Sequence, residues 1–140
     1  MKERILVVDD DCEVANSLVR LLTTMGYESK ASYDGRQAAD VASDFMPDMV
    51  FIDIGMPGFD GYQTVTQIRA HRECGHAILI ALTGWTTPEV RQRAYQHGFD
   101  LHVAKPLGLD QLQELLTLLK PAKNESTEKR IHRLSAAAPR

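Results

Sequence analysis

Short apolar runs and amphipathic helical patterns alternate five times along this chain of 140 residues, and this alternation constrains the fold most strongly. Parallel strands need a long crossover between them, which a helix supplies, and such crossovers are right-handed. We therefore predict one α/β domain, a doubly wound five-stranded parallel sheet with helices on both faces. The strand-like runs are Arg4–Val8, Tyr27–Tyr33, Met49–Ile52, Ala77–Leu82 and Leu101–Ala104.

Residues with strong local preferences set the limits of the predicted helices. Asp11 is suited to cap the first helix, and Gly26 is suited to end it in a left-handed turn. The third and fifth helices are predicted over 62–72 and 109–119. The apolar residues of the first helix recur at helical spacing and should face the core: Val14, Leu18, Leu21, Leu22 and Met25.

Composition and charge exclude several classes of protein. No apolar run approaches the roughly 20 residues that a membrane span needs, and the first run is too short for a signal peptide. Cys12 and Cys74 form neither a disulfide framework nor a zinc pattern, so we expect reduced thiols and a cytoplasmic location. Residues 1–120 hold 11 Lys/Arg and 17 Asp/Glu, a net charge of −6, whereas 121–140 hold five and two, a net charge of +3. We predict a folded domain over 1–120 and a flexible basic tail over 121–140.

Polar side chains follow four of the five strand-like runs, where each run leaves the core. Asp9 and Asp10 follow the first run, Asp53 the third, Thr83 the fourth and Lys105 the fifth. Each alone has an ordinary structural explanation as a helix cap, a turn residue or a surface charge. The carboxyl ends of parallel strands meet at one edge of the sheet, however, and ligands bind at that edge in open α/β sheets. Together these residues therefore indicate a functional site.

The chemistry of this residue set points to phosphoryl transfer. Carboxylates about 4 Å apart repel by about 4 kcal/mol at an effective dielectric constant near 20. A divalent cation removes this repulsion, and ligands that are all oxygen suit Mg²⁺. A carboxylate nucleophile beside a cation, an ammonium group and a hydroxyl can accept a phosphoryl group. We predict an aspartyl phosphate on Asp53.

Five motifs, in this order and at this spacing, resemble the receiver domain of two-component response regulators over roughly residues 3–120. They are Asp9-Asp10, Asp53 followed by Met56-Pro57, Asp60-Gly61, Leu82-Thr83-Gly84 and Lys105-Pro106. The sequences of residues 53–57, 82–85 and 98–102 are most similar to those of the receivers of hybrid sensor histidine kinases and of their stand-alone relatives. The resemblance implies a flavodoxin-like (βα)5 fold with strand order 2-1-3-4-5.

The resemblance also implies roles for the acidic residues. Asp53 would be the phosphoacceptor in a reaction that depends on Mg²⁺. Asp10 and Asp53 would bind the ion directly, the backbone carbonyl of Gly55 would be a third ligand, and Asp9 would act mainly through a bound water. The domain would catalyse only its own phosphorylation and dephosphorylation.

Thr83 and Lys105 would contact the phosphoryl oxygens, and Thr83 would move inward when the phosphoryl group arrives. Family members carry Tyr or Phe three residues before the lysine, whereas this chain has His102. We expect a switch that still operates but is weaker or differently tuned, and a static, partly buried histidine is the alternative. Gly55 and Trp85 also depart from common choices beside the phosphoryl group, with opposite expected effects on the access of water.

The expected phosphodonor is a phosphohistidine on a histidine kinase or a histidine phosphotransfer protein. By resemblance it would dock near the first helix and the loop after Lys105, with Val14, Ser17, Pro106 and Leu107 as candidate contacts. The fourth helix, fifth strand and fifth helix would bind a downstream protein, and a homodimer is an option. We expect no direct contact with nucleic acid or membrane, because the twenty residues from Pro121 cannot fold a DNA-binding domain. The chain either acts through a partner or is a piece of a hybrid kinase.

Two other functions fit parts of the sequence. Asp9-Asp10-Asp11 contains an Asp-x-Asp after the first strand, which resembles haloacid-dehalogenase-type phosphatases with Asp9 as nucleophile. That hypothesis leaves the motif from Asp53 to Gly61 unexplained. A flavodoxin-like flavin protein would need a loop rich in Gly, Ser and Thr for the cofactor phosphate, and the sequence shows none.

Overall fold

Five parallel strands form one sheet, as the alternation in the sequence predicts. The computed structural model of the protein describes residues 2–55, 60–84 and 87–119, together with 128, 129, 131, 132 and 134. The strand order across the sheet is β2-β1-β3-β4-β5, and every neighbouring pair is parallel. The strands are β1 Arg4–Val8, β2 Glu28–Ser32, β3 Met49–Asp53, β4 Ile78–Thr83 and β5 Leu101–Ala104. The predicted fold class and strand order are therefore confirmed.

A helix follows each strand in the described chain. Short 3-10 turns at Arg72–Cys74 and Thr117–Leu119 follow the third and fifth helices. The helices are α1 Cys12–Thr24, α2 Gly35–Phe45, α3 Gly61–Ala70, α4 Pro88–His97 and α5 Leu109–Leu116. Among the helices of the described residues, none is long and apolar enough to cross a membrane.

Side-chain caps explain where several helices begin. Asp11 accepts hydrogen bonds from the backbone N–H groups of Glu13 and Val14, as its predicted role as N-cap requires. Asp60 and Gln63 form a reciprocal capping box at α3. Gly26, at φ +98°, follows α1 in the left-handed conformation that was predicted for it.

Three secondary-structure elements are shorter than predicted. The second strand covers 28–32 rather than 27–33. The third helix ends at Ala70, because His71 has extended backbone angles. The last three residues of the predicted fifth helix, 117–119, tighten into the 3-10 turn.

The sheet separates two apolar clusters. The first lies on the side of α2, α3 and α4, and it includes Leu6 and Val8 of β1. The second lies on the side of α1 and α5, and it includes Ile5 and Val7 of the same strand. This alternation along one strand is that of a sheet covered on both faces. The clusters are named below the α3/α4 cluster and the α1/α5 cluster.

Part of the predicted core face of α1 was wrong. Val14 and Leu21 are 45% and 38% exposed, whereas Ala15 and Leu22 are fully buried. Each exposed residue precedes a buried one by one position, which is about 100° around the helix axis. The buried stripe is therefore centred on Ala15 and Leu22, and the leucine-rich pattern alone did not fix its direction. Leu109, in the first turn of α5, is also exposed.

The predicted boundary at residue 120 and the flexible tail stay predictions. Ile131 and Leu134 nevertheless pack, partly buried, against the α1/α5 cluster. Lys129 and His132, next to them in the chain, are exposed.

Candidate acidic site at the sheet edge

Strand register delivers the predicted site residues to one edge of the sheet. Val8 of β1 pairs with Ile52 of β3, so Asp9 and Asp53 leave neighbouring strands at the same level. Asp53 pairs with Leu82 of β4, which places Thr83 one residue further along. Thr83 pairs with the residue before Lys105, and the Lys105 N–H donates to the Thr83 carbonyl oxygen at 2.8 Å.

Three carboxylates meet at this edge. Asp9, Asp10 and Asp53 each offer one oxygen, and these oxygens lie within 4.8 Å of one another. Asp9 is buried, Asp53 is partly exposed and Asp10 is exposed, so the cluster opens to solvent on one side. An all-oxygen donor set that keeps a solvent-facing side fits Mg²⁺, which retains several of its waters in proteins.

Lys105 bridges two of the carboxylates. Its Nζ lies 3.1 Å from Oδ2 of Asp9 and 3.2 Å from Oδ2 of Asp53. The other oxygen of each carboxylate is also held. Oδ1 of Asp9 accepts from the Asp11 N–H at 3.0 Å, and Oδ1 of Asp53 accepts from the Gly55 N–H at 2.9 Å. Both carboxylates are therefore fixed in orientation by short-range contacts.

Burial and neighbouring charges shift the pKa values at the site. Burial raises the pKa of Asp9, the Asp11 N–H and Lys105 oppose that rise, and the charge of Asp53 adds to it. Burial would lower the pKa of Lys105, but its hydrogen bond to Asp9 and the charge of Asp53 outweigh burial and raise it. The two shifts are compatible, because the ammonium group gains two partners while Asp9 loses water and faces a like charge.

Thr83 and His102 lie on the same face of the sheet. Both side chains are 5% exposed. Ala81 of β4 pairs with His102 of β5, and Thr83 is two residues after Ala81. Thr83 and His102 are therefore diagonal neighbours on the α3/α4 side. The structure places the predicted switch pair together, and its switching role stays a prediction.

The candidate contacts for a phosphodonor lie on or near the surface. Val14, Ser17 and Pro106 are exposed, and Leu107 is half-buried against the α1/α5 cluster. The exposure of Val14 removes the competing expectation that it belongs to the core. Trp85, and Met56 and Pro57 of the motif after Asp53, lie outside the described residues.

Sequence reasoning missed two packing features, one beside the site and one at the opposite edge of the sheet. A Cβ added to Gly61 would lie 2.5 Å from Cα of Ile54 and 2.9 Å from the carbonyl oxygen of Asp53, so α3 begins in contact with the backbone after β3. At the opposite edge of the sheet, Arg69 donates to two backbone carbonyls and, at 2.7 Å, to Asp100, the residue before β5. The Asp60-Gly61 pair was recognised as a motif without its close packing, and no short-range pattern links Arg69 to a residue 31 positions away.

A doubly wound domain with three carboxylates and a lysine at its sheet edge defines a class of protein that handles phosphoryl groups with a divalent cation. Residues 5–117 match the response regulator receiver domain family. The chain belongs to that family, and it is a receiver domain of the two-component signalling type. The alternative of a haloacid-dehalogenase-type phosphatase with Asp9 as nucleophile is not supported, because the family match covers residues 5–117 as a receiver domain.

Individual relatives agree with this family. The response regulator MprA of Mycolicibacterium vanbaalenii is 36% identical over 112 residues, which are 80% of this chain and 48% of MprA. The chain thus spans about half the length of this curated relative. The magnesium-bound receiver domain of sensor histidine kinase PA1611 from Pseudomonas aeruginosa is 29% identical at a TM-score of 0.75, covering 84% of this chain and 96% of that one.

A more distant solved structure shares the fold. It is the receiver domain of Ssk1 from Saccharomyces cerevisiae, co-crystallised with the histidine phosphotransfer protein Ypd1. The two chains are 19% identical, and the TM-score of 0.79 covers 90% of this chain and 96% of the other.

Proposed function

We propose that Asp53 accepts a phosphoryl group from a phosphohistidine and that this modification switches the binding of a protein partner. The observation that carries the proposal is the position of the Asp53 carboxylate between a lysine ammonium group, 3.2 Å away, and two further carboxylates. An oxygen of Asp53 attacks phosphorus, the P–N bond to the donor imidazole breaks, and the imidazole leaves with the electron pair of that bond.

Asp10 and Asp53, with the carbonyl of Gly55, would hold Mg²⁺ directly, and Asp9 would hold it through water. When bound, the ion supplies positive charge that offsets the charge on the phosphoryl oxygens. The Gly55 N–H fixes the orientation of Asp53, and Asp9 keeps Lys105 at the site through its 3.1 Å ion pair. The ammonium group of Lys105 can then move from a carboxylate oxygen to a phosphoryl oxygen.

Thr83 would donate its hydroxyl to the modified Asp53, and the diagonal position of His102 supports a coupled movement of the two side chains. His102 is smaller than Tyr or Phe, so its change of position displaces less volume. We infer that the switch is weaker than with an aromatic ring. His102→Ala should reduce the difference in partner affinity between the phosphorylated and free forms, and equal affinities in variant and wild type would remove His102 from the switch.

The partners that fit this function are a cytoplasmic histidine kinase or histidine phosphotransfer protein and a downstream protein. Exposed Val14 and Ser17 of α1, with Pro106 and Leu107 after the lysine, would contact the donor. A downstream protein, or a second copy of the chain, would bind at α4, β5 and α5.

The test is phosphorylation by acetyl phosphate with Mg²⁺, followed by intact mass and peptide mapping. Wild type should gain one phosphoryl group on Asp53, and Asp53→Asn should gain none. Asp11→Asn is the matched control, because it removes a nearby exposed carboxylate and retains a good N-cap. Undiminished labelling of Asp53→Asn, or sustained hydrolysis of an aryl phosphate, would contradict the proposal.

A further inference from the structure

The C-terminal segment, defined here as the described residues 128, 129, 131, 132 and 134, contacts one side of the domain through two of its residues. Ile131 and Leu134 pack, half-buried, against the α1/α5 cluster, whereas Lys129 and His132 are exposed. A spacing of three residues places Ile131 and Leu134 on one face of a helix. The segment therefore presents an apolar face to the domain and a polar face to solvent.

The cluster beneath this segment reaches the surface that a phosphodonor would use. Leu18 of α1 and Leu107 of the loop after Lys105 pack against the same α1/α5 cluster as Ile131 and Leu134. Under the proposed function a donor docks on α1 and on the loop after Lys105, and both belong to this side of the domain. The segment and the donor thus share one side of the sheet.

Charge favours the docked position of the segment. Residues 121–140 carry a net charge of +3, and residues 1–120 carry −6. Opposite net charges attract over distances comparable to the Debye length, about 8 Å at physiological salt, so charge favours contact of Ile131 and Leu134 with the domain. The two aliphatic anchors then determine where the segment docks.

We propose that the C-terminal segment is an intramolecular cap that limits the access of protein phosphodonors to the α1/α5 side. This inference rests on the proposed function, because it requires a donor that docks there. Two half-buried aliphatic side chains can shift a docking equilibrium by about tenfold, which is enough to slow a donor and weak enough to be displaced by one. Small phosphodonors reach Asp53 without docking, so the cap should not affect them.

The experiment compares two donors on the full chain. The donors are acetyl phosphate and phosphorylated Ypd1 from Saccharomyces cerevisiae. The released variant is Ile131→Asn with Leu134→Asn, which changes no charge, and the matched control is His132→Asn on the exposed face. We expect the released variant to accept the phosphoryl group from Ypd1 about tenfold faster than wild type and the control, with equal rates from acetyl phosphate.

The cap would be wrong if the released variant were accelerated equally with acetyl phosphate and with Ypd1, or if the His132→Asn control were accelerated as much as the released variant. It would also be wrong if Ypd1 phosphorylated the released variant no faster than wild type, which includes the case in which Ypd1 phosphorylates no form. Failure of acetyl phosphate to label any form would instead overturn the proposed function, and the cap with it.

Docking itself has a readout that needs no donor. Trypsin cleavage after Lys129 should be slower in wild type and in the His132→Asn control than in the released variant, while far-UV circular dichroism stays the same. Equal cleavage rates in all three forms would show that the two anchors do not hold the segment, and the cap would be wrong.

Discussion

Replacing Asp9 by Asn should stabilise the domain when Mg²⁺ is absent. The Asp9 side chain is 2% exposed, and burial is the main reason that its pKa is raised. A raised carboxyl pKa means that the ionised form is less favourable in the folded state than in the unfolded state. Its contribution to stability is therefore fully present below the ordinary pKa of 3.8 and is lost as the pH rises through the raised value.

The magnitude follows from the distances at the site. Carboxylate oxygens of Asp9 and Asp53 lie within 4.8 Å of each other, and like charges at that distance repel by about 3 kcal/mol at an effective dielectric constant near 20. The attraction to Lys105 at 3.1 Å is about 5 kcal/mol on the same scale, but desolvation of a buried carboxylate opposes it by several kcal/mol. An asparagine at position 9 still offers an oxygen that accepts from the Asp11 N–H, and Lys105 retains its ion pair with Asp53. We expect a net gain of about 1 to 2 kcal/mol, or roughly 4 to 8 °C in Tm.

Thermal and urea unfolding in EDTA and in excess MgCl₂ measures this effect. At neutral pH, Asp9→Asn should be more stable than wild type in EDTA and should gain less from Mg²⁺. In EDTA, the difference in the free energy of unfolding between Asp9→Asn and wild type should become smaller as the pH falls toward 3.8. Asp11→Asn is the control and should change stability by less than about 0.5 kcal/mol while keeping the full response to Mg²⁺. A less stable Asp9→Asn variant with an unchanged Mg²⁺ response would refute the electrostatic argument.

Three further changes test other parts of the structure. Gly61→Ala forces a Cβ to within 2.5 Å of Ile54 Cα and should lower the free energy of unfolding by about 2 kcal/mol or more in urea, and an unchanged midpoint would contradict this close approach. In Arg69→Lys, the lysine cannot bind Asp100 and two backbone carbonyls at once, so the free energy of unfolding should fall by about 2 kcal/mol. A lysine variant as stable as wild type would show that a positive charge alone is enough to stabilise this position. Lys105 has a raised pKa, so its stabilising contribution is complete below 10.5 and is lost as the pH rises through the raised value, and Lys105→Met should remove this alkaline loss of stability.

The sequence was sufficient to predict the fold and the residues that meet at the site. Alternating strands and helices leave few topologies, and the carboxyl ends of parallel strands must share an edge. The convergence of Asp9, Asp53 and Lys105 follows from this rule, and their distances agree with it. Strand register then needed no further information, because each of these residues ends or follows its own apolar run.

Features that depend on packing between distant elements could not be predicted. The direction of the buried stripe of α1 depends on how the helix lies on the sheet, so Val14 and Leu21 were placed on the wrong side. The contact of Arg69 with Asp100 joins α3 to β5 and leaves no mark in either segment. The packing of Ile131 could not be predicted from the sequence either, because a charged tail with few apolar residues is typical of disorder.

The sheet is a single layer of backbone that separates the side chains of its two faces. Thr83 and His102 face the α3/α4 side, while Leu18, Leu107 and Ile131 belong to the opposite side. Substitutions on opposite sides share no contacts, so their effects on stability should add. Under the proposed function, donor contacts on the α1/α5 side could therefore change without altering the packing of Thr83 and His102 on the other side.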